Sequence, residues 1–209
     1  MKFFKQIKIN LFIFGLPLLL AVFSCNNDDS SVADQENTNL TNDDNAALLF
    51  MLEEEKLARD TYTYLGNLWN INQFSNIKKS EQSHMNAVIG LLDQYDISYS
   101  LLAYGEFNNP DIQKLYDQFI DYGSENKANA LEVGANIEDL DIVDLAKFID
   151  ATTNNAMIQV FESLQCGSRN HLRSFVNAIE LSGNTYEPQY LTQEDYTLII
   201  NDSQEQCGP

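Results

Sequence analysis

From about Ala46 to Leu181 the apolar residues recur at three- and four-residue spacing, which is the pattern of helices that each bury one face. Near the middle of four predicted helices that buried face is interrupted by a carboxylate or an imidazole. The first stripe runs Leu48, Leu52, Glu55, Arg59, Tyr62, Gly66, Trp69. The second runs Ile77, Glu81, His84, Val88, Leu91, the third Leu131, Gly134, Ala135, Glu138, Asp141, Ile142, and the fourth Phe161, Leu164, Ser168, His171, Leu172, Phe175, Ile179. An unpartnered buried carboxylate costs several kcal/mol. Four helices that each carry such a group at mid-length are therefore expected to bring them together around something positive. Glu81 and His84, three residues apart, share one helix face.

The predicted helices are long ones near Asn42–Trp69, Phe74–Tyr95, from Ser124, and Asn154–Leu181. A shorter helix with Pro110 in its first turn runs to about Tyr122, and a short helical piece follows the third long helix to Asp150. A last short helix starts at Thr192-Gln-Glu-Asp195, which has the form of a capping box, and Ser182-Gly183 suits a left-handed end to the fourth long helix. Strand-like alternation and solenoid-period repeats are scarce, so the expectation is one all-α domain over residues 46–209.

The N-terminal part has a different composition. Lys2, Lys5 and Lys8 precede an apolar run from Leu11 to Phe23, too short for a comfortable membrane span and of the length of a signal-peptide core. Val22-Phe23-Ser24-Cys25 resembles the lipobox of bacterial lipoproteins. That resemblance implies cleavage after residue 24, lipidation of Cys25 and attachment to a bacterial membrane, on its periplasmic or outer surface. Residues 25–45 are rich in Asn, Asp, Ser and Thr, with too little to bury to repay ordering, and read as an acidic tether.

The formal net charge is −19. It becomes −22 once the three lysines of residues 1–24 are removed. A surface this acidic excludes binding to nucleic acid or anionic lipid through charge. Phosphate-binding glycine loops, a Gly-x-Ser-x-Gly turn, a His-Glu-x-x-His pair and Cys-x-x-Cys are all absent. Cys166 and Cys207 are free to pair or to stay apart as far as spacing goes.

At the stripe residues the chain resembles the ferritin-like superfamily of non-haem di-metal carboxylate bundles. That family's pattern is Glu on the first helix, Glu-x-x-His on the second, Glu on the third and Glu-x-x-His on the fourth. Glu55 matches the first position, in Glu55-Lys-Leu-Ala58 followed by Tyr62; Glu81 and His84 match the second, Glu138 the third and His171 the fourth. Ser80-Glu-Gln-Ser-His84 and Gly167-Ser-Arg-Asn-His-Leu-Arg173 are more closely similar to an uncharacterised bacterial and archaeal branch of that superfamily.

The resemblance implies a four-helix bundle with short accessory helices between the second and third long helices and after the third. It also implies one or two iron or manganese ions held by Glu55, Glu81, His84, Glu138 and His171, with Glu81 or Glu138 as bridge. Ser168 stands where a fourth carboxylate is expected, and Asp141, or Glu162, is the candidate to replace it. Tyr62, Arg59 and Ser168 would surround the ligands, and oxidation of ferrous iron or reduction of dioxygen or peroxide is the reaction class implied.

Two alternatives stay open. One is a metal-free binding module for a protein partner, its interior polar groups closed by Arg59, Arg173 and hydrogen bonds; the chain's three arginines, Arg59, Arg169 and Arg173, all flank the proposed ligands. The other is a structural zinc. Glu53 and Glu54, beside Glu55, read as surface charges.

Overall fold

The computed structural model describes residues 40–208. The expected signal segment, Cys25 and the tether up to residue 39 lie outside the described residues. Among the described residues the regular elements are six helices: α1 (Asn42–Trp69), α2 (Asn72–Gln94), α3 (Pro110–Gly123), α4 (Lys127–Ala151), α5 (Asn155–Leu181) and α6 (Gln193–Asn201). None of them is long and apolar enough to cross a membrane.

Short polar side chains start most of them. Thr41 and Asp44 form a reciprocal capping box on α1, and Asn109, Asn126, Asn154 and Thr192 accept from the free N–H groups at the starts of α3, α4, α5 and α6, each cap contributing on the order of 1 kcal/mol. Pro110 occupies the first turn of α3, where its missing N–H costs nothing. Gly183, at φ +83°, ends α5 in the left-handed turn. The short helical piece expected before Asp150 is not a separate element, because α4 runs unbroken to Ala151.

α1 and α2 form one hairpin and α4 and α5 the other, joined by a long crossover that contains α3. Phe74 of α2 meets Phe175 of α5, while His84 lies against Gly167. Numbers rise along one helix as they fall along the other, so the two are antiparallel. Tyr62 reaching Glu138 and Gly134 sets α1 against α4.

Two apolar layers enclose the middle of the bundle. On one side Leu48, Met51, Leu52, Met85, Val88, Leu145, Phe161 and Leu164 form a continuous buried cluster, each such side chain worth roughly 1.5–3 kcal/mol when fully buried. On the other side the rings of Tyr62, Phe74 and Phe175 lie 5.3–5.6 Å apart. Cys166 and Cys207 form a disulfide that fastens the C-terminal tail to α5.

Candidate metal centre

Between those layers the four long helices deliver Glu55, Glu81, His84, Glu138 and His171 to one place. The carboxylates are buried, at 1–2% exposure, and the two imidazoles are 11% and 12% exposed along one edge. His84 Nδ1 stands 3.2 Å from Glu55 Oε2 and 3.0 Å from Glu81 Oε2. His171 Nδ1 stands 2.9 Å from Glu81 Oε1 and 3.4 Å from Glu138 Oε2. Two triads result, Glu55–Glu81–His84 and Glu81–Glu138–His171, each with its ligand atoms within 4.8 Å of one another. Glu81 belongs to both, one oxygen facing each histidine.

The triads are poorly served by hydrogen bonds. Each Nδ1 can donate one proton but faces two carboxylates. Glu55 Oε1, Glu81 Oε1 and His171 Nδ1 have no hydrogen-bond partner although buried. His171 Nδ1 and Glu81 Oε1 are close, yet the N–H direction does not run between them. Ligand atoms bound at about 2.1 Å to one ion stand roughly 3–4 Å apart and aim at the ion, not at one another. The triads fit that geometry.

Burial alone would push Glu81 up, but His171 and His84 reverse this and hold it well below the usual carboxylate range. Burial raises Glu55 to about 7 against the pull of His84, and it raises Glu138 despite His171. Burial would lower the imidazoles. Glu55 and Glu81 nonetheless raise His84 well above its ordinary value, and Glu81 and Glu138 bring His171 to about 10. Without another cation, the histidines themselves become the positive charge in this acidic pocket.

The surrounding residues divide in their roles. Tyr62 donates to Glu138 Oε1 at 2.5 Å, which leaves Oε2 facing His171. Gly167 lies against the His84 ring, where a Cβ would stand 2.7 Å from Nε2. The Ser168 hydroxyl donates to the Asp141 carboxylate and lies 3.0 Å from the Leu164 carbonyl. Asp141 sits outside both triads, with its Oδ1 buried and unpartnered. Glu162 is exposed on α5.

The arginines do not close the site. Arg59 bonds Asp60 and Gln82, and Arg169 and Arg173 hold Glu205 of the C-terminal tail.

Three acids that read as ordinary surface charges, or drew no notice in the sequence, are buried. Glu53, expected at the surface, accepts from Asn108 N and Asn109 N at 2.7 Å each. Asp60 holds Lys56 Nζ at 2.6 Å, and Lys56, 2% exposed, also donates to the carbonyls of Ala103 and Glu106. Asp139 takes Tyr186 Oη and the N–H groups of Gln189, Tyr190 and Leu191. All three anchor loops that wrap the bundle. Glu54, also expected at the surface, is 1% exposed.

The family model for an uncharacterized protein domain, DUF2202, matches residues 44–203, a span that contains all five ligand candidates. The chain belongs to the DUF2202 family. It is 44% identical over 168 residues to uncharacterized protein MJ0754 of the archaeon Methanocaldococcus jannaschii, a match covering 79% of this chain and 91% of the relative. The crystal structure of MJ0754 superposes with a TM-score of 0.79 at 43% identity, covering 84% of this chain and all of the solved one. The helical bundle is thus shared with this relative.

Proposed function

We propose that this protein is a ferritin-like metalloprotein that binds two iron or manganese ions, one in each triad, with Glu81 as the bridge. The observation that carries the reading is the pair of triads meeting at one carboxylate, with Glu55 Oε1, Glu81 Oε1 and His171 Nδ1 buried and without hydrogen-bond partners. Engagement of Arg59, Arg169 and Arg173 elsewhere supports it over a metal-free module. Three carboxylates and two imidazoles with no thiolate suit iron or manganese, and zinc would occupy the same ligands in vitro. Cys166 and Cys207, joined to each other, offer no thiolate.

When bound, iron or manganese would supply a redox couple for dioxygen or peroxide chemistry. The chain's own residues prepare the place for it. Glu55 and Glu138 each face one histidine, Tyr62 fixes the Glu138 carboxylate, and the apolar layers on both sides keep bulk water from the carboxylates. Burial keeps the Tyr62 phenol protonated, reinforced by Glu138, so it acts as a donor. The lipobox-like Cys25 would tether this domain to a bacterial envelope membrane.

The test is metal content, by inductively coupled plasma mass spectrometry, of the full chain loaded anaerobically with ferrous iron. Two ions per chain are expected, and about one in each of His84→Ala and His171→Ala. A folded protein without stoichiometric metal, or unchanged stoichiometry in both variants, would overturn the proposal.

A further inference from the structure

The two triads leave Glu54 without a role. It precedes Glu55 on α1, is 1% exposed, and neither carboxylate oxygen has a hydrogen-bond partner. Three other buried acids of the bundle differ sharply: Glu53, Asp60 and Asp139 each receive three or more donors. A buried carboxylate without donors is costly, and a cation brought to it would offset that cost.

Burial raises the Glu54 carboxyl well above the usual carboxylate range, and the neighbouring Asp144, Asp141 and Glu55 add to this against Lys147. Asp141 and Asp144 lie one turn apart on α4, whose preceding turn carries the ligand Glu138. Asp144 is the outer of the two. Its side chain is 11% exposed and stands 3.8 Å from Lys147, which is 47% exposed. Asp141 is the inner one, held by Ser168 through Oδ2 with its Oδ1 unpartnered. Unpartnered oxygens on Glu54 and Asp141 thus adjoin Asp144, the most exposed of the three acids, on one side and the triad residues Glu55 and Glu138 on the other.

We propose that Asp144, Glu54 and Asp141 form an oxygen-only relay for hydrated divalent cations, through which the triads are loaded. The proposal rests on the two-ion reading above. Carboxylate oxygens without imidazole suit hard cations that keep part of their water shell. Such a cation is held loosely enough to move on to the nitrogen-containing triads. Ser168 has a part in this arrangement, because its hydroxyl engages one Asp141 oxygen while the other stays unpartnered.

The test is the rate of cobalt(II) uptake by the full chain, cleared of metal by chelation and followed in a stopped-flow spectrometer through the visible bands of bound cobalt. Glu54→Gln and Asp144→Asn are expected to reach two cobalt ions per chain, as the unsubstituted protein does, with uptake at least tenfold slower. Asp150→Asn, which removes an exposed charge from the same helix, is expected to load at the unsubstituted rate. Circular dichroism checks folding, and Asp144→Asn decides the matter if Glu54→Gln does not fold. Uptake at the unsubstituted rate would overturn the relay, because ions would then be passing the histidine edge. Saturation below two in Glu54→Gln would overturn it as well, by placing Glu54 among the ligands. No uptake by the unsubstituted chain would overturn both the relay and the two-ion reading.

Discussion

Gly167→Ala should separate the two triads. Its added Cβ would meet His84 Nε2 at 2.7 Å and Cε1 at 2.8 Å, whereas the nearest atom of His171 would lie 3.9 Å away, in ordinary contact. The His84 ring must then retreat by roughly 0.8 Å to reach van der Waals separation. The ring is rigid, so Nδ1 moves with it relative to Glu55 and Glu81, now 3.2 Å and 3.0 Å away. Metal sites tolerate ligand displacements of only about 0.2 Å.

The expected result is a loss of about 10–100-fold in affinity at the Glu55–Glu81–His84 triad, with the Glu81–Glu138–His171 triad nearly unaffected. Stability should change little. Overpacking costs about 1–3 kcal/mol, and replacing a mid-helix glycine by alanine returns about 1 kcal/mol. Equilibrium titration with cobalt(II), read in the visible bands alongside a thermal melt, resolves the two steps. Equal loss at both steps, or no loss at either, would show that Gly167 does not set the position of His84 in its triad.

Proton release follows from the electrostatics. His171 at about 10, and His84 raised well above its ordinary value, both carry protons at pH 7, and both must lose them to act as ligands. Loading two ions should therefore release at least about two protons per chain, measurable by calorimetry in buffers of different ionisation enthalpy. The same shift fixes a stability trend. A histidine whose folded value is raised from 6.5 to about 10 stabilises fully below pH 6.5 and loses that contribution as pH rises through 10. The chelated protein should thus lose thermal stability between pH 6.5 and 10 while the loaded protein does not; a flat profile for the chelated form would contradict the assigned charges. Tyr62→Phe leaves Glu138 Oε1 without its donor and should cost about 1–3 kcal/mol. Cobalt titration should show its weakening confined to the Glu81–Glu138–His171 triad.

The helices and the five ligand candidates were legible because both depend on local periodicity. An acid or histidine at mid-stripe projects into the same core as its apolar neighbours, and Glu81-x-x-His84 places two of them on one face. What local pattern does not carry is which loops come back over the bundle. Glu53, Glu54 and Lys56 form part of a charged run, which on α1 alone belongs in water. Glu53 and Lys56 are buried because the crossover brings Ala103, Glu106, Asn108 and Asn109 to them, and Asp139 fastens residues 186–191 over the bundle. The Cys166–Cys207 bond and the Arg169 and Arg173 contacts to Glu205 depend on the path of the C-terminal tail in the same way. The continuity of α4 through Ala151 was hidden for a smaller reason: Asp144, Lys147 and Asp150 make its last turns read as polar, while Leu145 remains in the core.

The most direct test of the two-ion reading is anomalous diffraction from crystals loaded with manganese(II) or, anaerobically, with ferrous iron. Two peaks per chain are expected, one among Glu55, Glu81 and His84 and one among Glu81, Glu138 and His171, with the Glu81 carboxylate between them. Loaded crystals with no peak in either triad, or with Glu81 turned away from both histidines, would contradict it.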